Sequence, residues 1–508
     1  MTNRIIHLGP PGTGKTTTLL AHLEEELKAG VPVERIAFLT FTRRARREAL
    51  ERVEKVLGFS PKDLPHFRTI HSMAFRGLSL KDGDVMGRKE LQTFGEAMGL
   101  TFLRSGVDEL SAEGIGSQNK GDALLAIDNL ARLRGQKVRE AWGDARLEIP
   151  WPEVEHFVAS YRKFKTDLGL MDFTDVLSEF ARQKKTIDVE VALIDEAQDL
   201  SALQWYAALQ AVSSASRQHI AGDDDQALFK WAGADVDFFI GLEGEKRVLS
   251  HSYRLPRAVH ALSARILSRI RKRLPKEFSA RDADGLIKRH ASADSLKVLP
   301  GEQWLWLVRN RYLMNGLRAL LERRAIIYSS HGFSSINEDH RDLIYAWERL
   351  RAGRAVPASQ VKALYAKLRT KLQIAHGMKT LPGVADAQEL TLAELKEWHG
   401  LHVDGPWYEI LLHIPPEQRA YYRALLRTHG TLKLEPQVQL ETIHGAKGAE
   451  APHVALFLEQ SRRVWKEAQE DGDAEHRVFY VGCTRARETL HLIEPTGAWG
   501  YRMPTLTG

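Results

Sequence analysis

The alternation of apolar runs with amphipathic stretches predicts strands and helices in turn along most of the chain. Arg4-Ile5-Ile6-His7-Leu8 reads as a short buried strand, and Thr17 to Ala29 as a helix. A second strand, Ile36 to Thr40, precedes a helical stretch from Arg43 to Leu57. Strand–helix alternation of this kind predicts a parallel sheet with helices on its faces. From about Leu78 to Glu148 the pattern loosens, with Gly83, Gly87, Gly95, Gly99, Gly114, Gly116 and Gly121 as punctuation. This stretch is expected to be an inserted, mostly helical subdomain. Val154, Phe157, Val158, Tyr161 and Phe164 recur at helical spacing and predict a helix from Val154 to Leu168.

The α/β pattern returns at Val189–Ile194, a strand ending in Asp195-Glu196, and again at His219–Gly222, ending in Asp223. A second α/β unit is expected from about Lys246. Within it, Trp304 and Trp306 alternate with Leu305 and Leu307, the pattern of a strand buried on both faces. A helix-rich stretch interrupts it from roughly Asn337 to Thr428, and it resumes from Val438 to Ile493. Residues 494–508 read as a short tail.

Composition narrows the class. At 508 residues the chain is expected to hold two to four domains, given roughly 100–200 residues per domain. Hydrophobic residues make up 43% and charged residues 27%, as in a globular protein with real cores. The single cysteine, Cys483, excludes an internal disulfide framework and a cysteine-built zinc site, and favours a reducing compartment. No apolar run approaches transmembrane length, and no signal peptide is expected before Gly9-Pro10-Pro11. A net charge of +6 permits a nucleic-acid partner without demonstrating one.

The candidate chemistry starts between the first strand and the first helix. Gly9-x4-Gly14-Lys15-Thr16 fits the P-loop pattern in the strand-to-helix context that the pattern requires. Gly12, Thr13, Gly14, Lys15, Thr16 and Thr17 are expected to hold the phosphates, through backbone N–H groups, the helix N-terminus and the Lys15 ammonium. Thr16 would ligate Mg²⁺, and Asp195, delivered by an apolar strand, would join the Mg²⁺ shell. Glu196 is placed to orient and deprotonate the attacking water. Phosphoryl transfer also needs cations, for which Arg254 and Arg485 are candidates.

These pieces occur in an order that resembles the UvrD/Rep/PcrA family of superfamily-one DNA helicases. Leu39-Thr40-Phe41-Thr42 is like the family's second motif, and Phe67–Ser72 is like the next. Leu170–Leu177 is similar to the segment before the Asp-Glu box, and Ala221–Ala234 is very close to the third motif. Ser252-Tyr253-Arg254 resembles the fourth, Thr442–Glu450 the fifth, and Glu475–Arg485 the sixth.

The resemblance implies two RecA-like P-loop motor domains in an α/β fold, each with a mainly helical insertion. Residues 1–77 and 166–245 would form the first motor domain and 78–165 its insertion. Residues 246–329 and 432–493 would form the second, with a short insertion at 330–431. It also implies that Gln226 senses the γ-phosphate, Tyr253 packs on adenine, Arg254 touches the γ-phosphate, Glu450 contacts the sugar, and Arg485 is an arginine finger.

For a single-strand track, the resemblance favours Phe41 and Trp231 as base platforms, with Thr42, His71 and His444 at backbone-contacting positions. Phe229 is expected in the core rather than as a platform. Arg43, Arg44, Arg46 and Arg47 form a basic cluster that is either a solvated face or a phosphate attractor.

Three departures stand out. Only eight residues precede Gly9, so the family's N-terminal glutamine segment is not expected here, and selection of ATP over other nucleotides is expected to be weak or to be supplied elsewhere. Ala232 stands where the third motif often has arginine, and the second insertion is short. Leu381-Pro382-Gly383-Val384 could turn toward duplex, although an ordinary turn is the simpler reading.

The expected function is an ATP-dependent helicase moving 3′ to 5′ on single-stranded DNA. The alternative is an ATP-driven translocase that displaces proteins or remodels strands without efficient unwinding. An ATP-gated binding switch is disfavoured by the intact set of candidate catalytic residues. ATP and Mg²⁺ are the expected cofactors. Single-stranded DNA, single-strand/duplex junctions and replication or repair proteins are the expected partners. A monomer in the cytoplasm is expected, at the nucleoid or, for a viral chain, in the host cytoplasm, with no membrane association.

Overall fold

The computed structural model describes residues 2–103 and 119–505, the Arg44 side chain apart. Gly114, Gly116 and the last residues of the expected tail, 506–508, lie outside the described residues. The chain separates into two compact units. One holds residues 1–291, 307–311 and 442–508; the other holds 292–306 and 312–441.

In the first unit, six strands form a parallel sheet. They are β1 (Asn3–Leu8), β2 (Ile36–Thr40), β3 (Phe67–Thr69), β4 (Val191–Asp195), β5 (Arg217–Gly222) and β6 (Glu245–Val248). Their order is β3-β2-β4-β5-β1-β6. Strands β2 and β4 are buried at every position, as expected for strands covered on both faces. The register aligns Thr40 with Asp195 and Leu8 with Gly222, so the carboxyl ends of β1, β2, β4 and β5 come together at one edge. Ligands of open parallel sheets sit at that edge.

Strand β6 belongs to this sheet, paired with β1 from Ile5↔Glu245 to Leu8↔Val248. The sequence pattern assigned its residues from Lys246 onward to the next α/β unit. All four of its positions are exposed, because it is the sheet's edge. Charged side chains on an edge guard it against further pairing, and they also remove the apolar signal of a strand.

Helix α1 (Lys15–Lys28) follows β1, α2 (Arg43–Leu57) follows β2, and α3 (Ile70–Gly77) follows β3. The expected insertion contains α4 (Arg88–Met98), α5 (Lys120–Arg134), α6 (Val138–Ala145) and α7 (Trp151–Leu168). Its core gathers Phe94, Ile127, Val154, Phe157 and Tyr161, the last three from the helical pattern seen in the sequence. Helix α8 (Phe173–Arg182) and α9 (Ala202–Ala211) return to the sheet.

An ion network joins α5, α7 and the start of α8. Arg132 grips Asp172 with both Nη atoms at 2.8 Å and reaches Asp175 at 2.8 Å. Lys165, buried despite its charge, donates to Asp172 at 2.6 Å and Asp175 at 2.5 Å. Asp172 and Asp175 also close the α8 N-terminus as a reciprocal capping pair.

Further along the first unit, strands Ala451–Phe457, Ala486–Ile493 and Leu286–His290 run parallel in that spatial order. The expected tail is docked rather than loose. Tyr501 stacks on Phe479 with ring centroids 4.0 Å apart and donates its backbone N–H to Leu458 O at 2.8 Å.

In the second unit, Tyr328–Ser330 pairs in parallel with Val438–Gln439 and antiparallel with Phe333–Ser334. Trp304, Leu305 and Trp306, the start of a strand, are buried, as their pattern predicts. A helical core around Trp347, Tyr365, Leu395 and Tyr422 fills the rest of the unit. Leu381–Val384 forms an ordinary turn, closed by Val384 N–H to Leu381 O at 3.3 Å, with Leu381 buried and Pro382 and Gly383 exposed. No helix among the described residues is long and apolar enough to cross a membrane.

Candidate nucleotide and nucleic-acid site

Helix α1 begins without a side-chain cap and without an acidic residue in its first turn. Gly14 at its N-cap is left-handed, at φ 82°. The first N–H groups of a helix lack intrahelical partners, so an uncapped start is ready for an anion. Helix α2 is built oppositely: the Thr42 hydroxyl accepts from Ala45 N–H at 3.1 Å. Gly12, at φ 73°, lies against the fourth motif; a Cβ there would fall 2.3 Å from Arg254 Cβ. Ser252 Oγ donates to Pro11 O at 2.7 Å and Tyr253 N–H to Gly12 O at 2.9 Å, fixing this motif beside the loop. Thr13 closes the loop on itself through Pro10 O at 2.8 Å, while Thr17, the third residue of α1, is exposed.

The Thr16 hydroxyl donates to Asp195 Oδ2 at 2.6 Å. A hydroxyl and a carboxylate this close at an uncapped helix start fit Mg²⁺, which takes oxygen ligands. Lys15 Nζ lies 2.9 Å from Gly9 O. Glu196 follows in a left-handed conformation, φ 52°, an arrangement that costs about 1–3 kcal/mol and persists where surrounding structure enforces it. Burial and the neighbouring Glu196 push Asp195 up to about 6. Burial would also raise Glu196, but Lys447, Lys15 and a hydrogen bond from Gln198 outweigh it and hold Glu196 at about 2. Adjacent carboxylates with values driven apart are suited to different tasks. Glu196 is the one held ionised.

Gln198 ties this pair to the neighbouring strand. Its Nε2 donates to Glu196 Oε2 at 2.5 Å, and its Oε1 accepts from Asp223 N–H at 3.0 Å. Gln226 Nε2 donates to Asp223 Oδ2 at 2.6 Å, and its Oε1 accepts from Arg485 Nη2 at 2.9 Å. Arg485 is 2% exposed; burial and the nearby Arg254 lower it to about 9, so it stays charged at neutral pH. Arg254 pairs with Glu450, whose other oxygen lies 3.6 Å from Arg487 Nη1. Tyr253 is 73% exposed beside the loop. Lys15, Thr16, Asp195, Glu196, Gln226, Arg254, Arg485 and Glu450 are thus linked into one neighbourhood.

Several participants carry no assignment from sequence. Lys447 pairs with Asp199, lies 3.6 Å from Glu196 Oε2 and donates to Gln226 O at 3.1 Å. Lys276, 1% exposed at its side chain, pairs with Asp223, Asp224 and Asp225. Lys447 lies inside the Thr442–Glu450 motif and Gln198 and Asp199 closely follow Asp195-Glu196, so these positions could have flagged them. Lys276 carries no such signal.

The nucleic-acid candidates divide. Phe229 is a half-buried hub, with ring centroids 5.7 Å from Phe41, 6.2 Å from Trp231 and 6.4 Å from His444. Expected in the core, Phe229 is half-buried and packs between the two candidate platforms. His444 is buried, and burial with Arg309 and Lys447 drives its imidazole well below its ordinary value, so it is neutral. His71 lies elsewhere, edge-on to Phe173 at 6.3 Å. Thr42 is exposed at the start of α2, beside exposed Arg43 and Arg47.

Comparison with known families decides the relationship. Residues 2–246 match the UvrD/REP helicase N-terminal domain, and residues 423–495 match the UvrD-like helicase C-terminal domain. The chain belongs to the UvrD/Rep helicase family. This assigns its mixed α/β fold to the family's RecA-like motor architecture. Among relatives of this UvrD-like chain, the ATP-dependent DNA helicase srs2 of Schizosaccharomyces pombe is 26% identical over 307 residues, covering 55% of this chain and 34% of the relative. The ATP-dependent DNA helicase PcrA of Bacillus subtilis is 24% identical over 306 residues, covering 54% of this chain and 39% of the relative. PcrA of Staphylococcus aureus is 25% identical over 295 residues, with the same coverage. The similarity therefore spans well under half the length of these relatives.

Proposed function

We propose that this chain is an ATP-dependent DNA helicase that translocates 3′ to 5′ on single-stranded DNA and couples ATP hydrolysis to strand separation. The observation that carries this reading is the continuous chain of contacts from Thr16 and Asp195, through Glu196, Gln198, Asp223 and Gln226, to Arg485. It connects phosphate loop, water-activating base, candidate γ-phosphate sensor and arginine finger in one hydrogen-bonded line. The relatives named ATP-dependent DNA helicases support it.

ATP would lie on the Gly9–Thr16 loop, with Tyr253 offering its exposed ring to the base and Glu450 a carboxylate to the sugar. Thr16 and Asp195 would hold Mg²⁺, which supplies charge for the β- and γ-phosphates. Glu196 takes a proton from the attacking water, and Arg485 and Arg254 face the charge that develops. Gln226 touches Arg485 directly and lies three residues before Phe229, which spaces Phe41 and Trp231. A change at the γ-phosphate thereby reaches the base platforms along one short segment. The motor domains in this reading keep the boundaries expected from sequence, except that β6 completes the first.

A second reading is an ATP-driven single-strand translocase acting without efficient unwinding. The exposed tip of the Leu381–Val384 turn favours it, since Pro382 and Gly383 offer no aromatic wedge for duplex. Strand displacement on duplex DNA carrying either a 3′ or a 5′ single-stranded tail separates the readings. Displacement with the 3′ tail alone supports the helicase and its direction. Displacement with the 5′ tail alone contradicts the direction. DNA-stimulated ATP hydrolysis without displacement on either substrate favours the translocase.

A further inference from the structure

Behind the phosphate loop, three histidines from three elements converge. His7 lies on β1 two residues before Gly9, His22 on α1, and His219 on β5. The register pairs Ile5 with His219 and His7 with Ala221, so His7 and His219 are diagonal neighbours on one face of the sheet. His7 Nε2 and His219 Nδ1 are 3.3 Å apart. The His22 ring stacks on His219 at 4.0 Å between centroids and lies 5.0 Å from His7. One ring nitrogen from each histidine lies within 4.8 Å of the other two.

His7 and His219 are buried, 2% and 7% exposed, where apolar side chains would pack without desolvating a polar ring. The nucleotide chemistry uses none of the three. Imidazole in its neutral form offers a ring lone pair to a metal. His22 Nδ1 lies 2.9 Å from Glu25 Oε2, the carboxylate–histidine pairing that fixes the proton on one nitrogen and leaves the other for a metal. The cations nearby are already engaged: Arg247 pairs with Glu245 at 2.7 Å and Arg217 with Glu26 at 2.7 Å. The His22 side chain is 20% exposed and gives solvent a route in.

We propose that His7, His22 and His219 form a binding site for a divalent transition metal such as Zn²⁺ or Co²⁺, with Glu25 orienting His22 and solvent completing the shell. Three imidazoles select such ions over Mg²⁺, which prefers oxygen ligands. A bound ion would staple α1 to β1 and β5, the elements that carry the phosphate loop.

The test uses the untagged, metal-stripped full chain titrated with Co²⁺, followed by visible absorption and by thermal melting. One equivalent should bind with the bands of a four-coordinate site, raise the melting temperature, and be displaced by Zn²⁺. His22→Ala and the more conservative His22→Gln should each weaken binding by about tenfold or more, on the scale of lost metal-site partners. His290→Ala, removing half of the separate His290–His491 pair (2.9 Å), should leave it unchanged. Absence of stoichiometric binding, or full affinity in folded His22→Gln, overturns the proposal.

Discussion

Arg485 Nη2 donates to Gln226 Oε1 at 2.9 Å, both side chains being buried. The same glutamine donates to Asp223, so its amide is committed at both ends and its orientation is fixed. A buried guanidinium held by a neutral acceptor keeps its charge available for an anion, which a carboxylate partner would cancel. Removing it should therefore be costly to turnover. Arg485→Ala is predicted to lower kcat by about 10³-fold or more, the scale of arginine fingers. Arg485→Lys should recover little, because a point charge does not reproduce the planar fork. Steady-state ATPase assays check both, and near-normal turnover in Arg485→Ala contradicts the role.

Glu196 is held ionised by Lys447 and Lys15 and braced by Gln198. Glu196→Gln keeps the shape and removes the base. It should cut hydrolysis by about 10²–10⁴-fold while nucleotide binding, read by a fluorescent ATP analogue, stays within a few-fold. Loss of binding in parallel with turnover would reassign Glu196 to holding the site together.

Trp231 leans on Phe229 and is half-buried. Trp231→Ala should weaken single-stranded DNA binding by about 1–3 kcal/mol, the value of one base–aromatic stack. ATP binding should be spared. Fluorescence anisotropy with a labelled oligonucleotide measures the first; unchanged affinity refutes the platform.

The Arg132–Lys165–Asp172–Asp175 network gives a stability prediction with a pH sign. Burial alone would raise Asp172, but Arg132 and Lys165 outweigh it and hold the carboxyl below its ordinary range. A depressed folded-state value stabilises the fold above the unfolded value of about 3.9. That stabilisation is lost as pH falls through the folded value. Asp172→Ala leaves buried Lys165 and half-buried Arg132 each short of a partner and should cost about 3–5 kcal/mol at neutral pH. The difference between variant and wild type in urea melts should shrink on acidification; a constant difference contradicts the assignment.

Much of the nucleotide site was legible because its parts are local. The loop from Gly9 to Thr16 follows its strand directly, and Asp195-Glu196 ends an unbroken apolar run. What was hidden depends on distant partners. Lys276 reads as a surface lysine until Asp223, Asp224 and Asp225, some fifty residues earlier, close around it. Lys165 falls on the apolar face of its helix, four residues after Tyr161, and only Asp172 and Asp175 at the start of α8 explain a charge there. Strand β6 was misassigned because an edge needs charge rather than hydrophobicity. Phe229 counts as packing by composition, and only the structure shows that its ring lies between Phe41, Trp231 and His444.

The most direct test of the central claim is the rate of ATP hydrolysis with and without single-stranded DNA, for the wild type and Lys15→Ala. The account predicts hydrolysis in the wild type, strong stimulation by single-stranded DNA, and loss of both in Lys15→Ala. Hydrolysis that ignores DNA, or that survives Lys15→Ala, would contradict it.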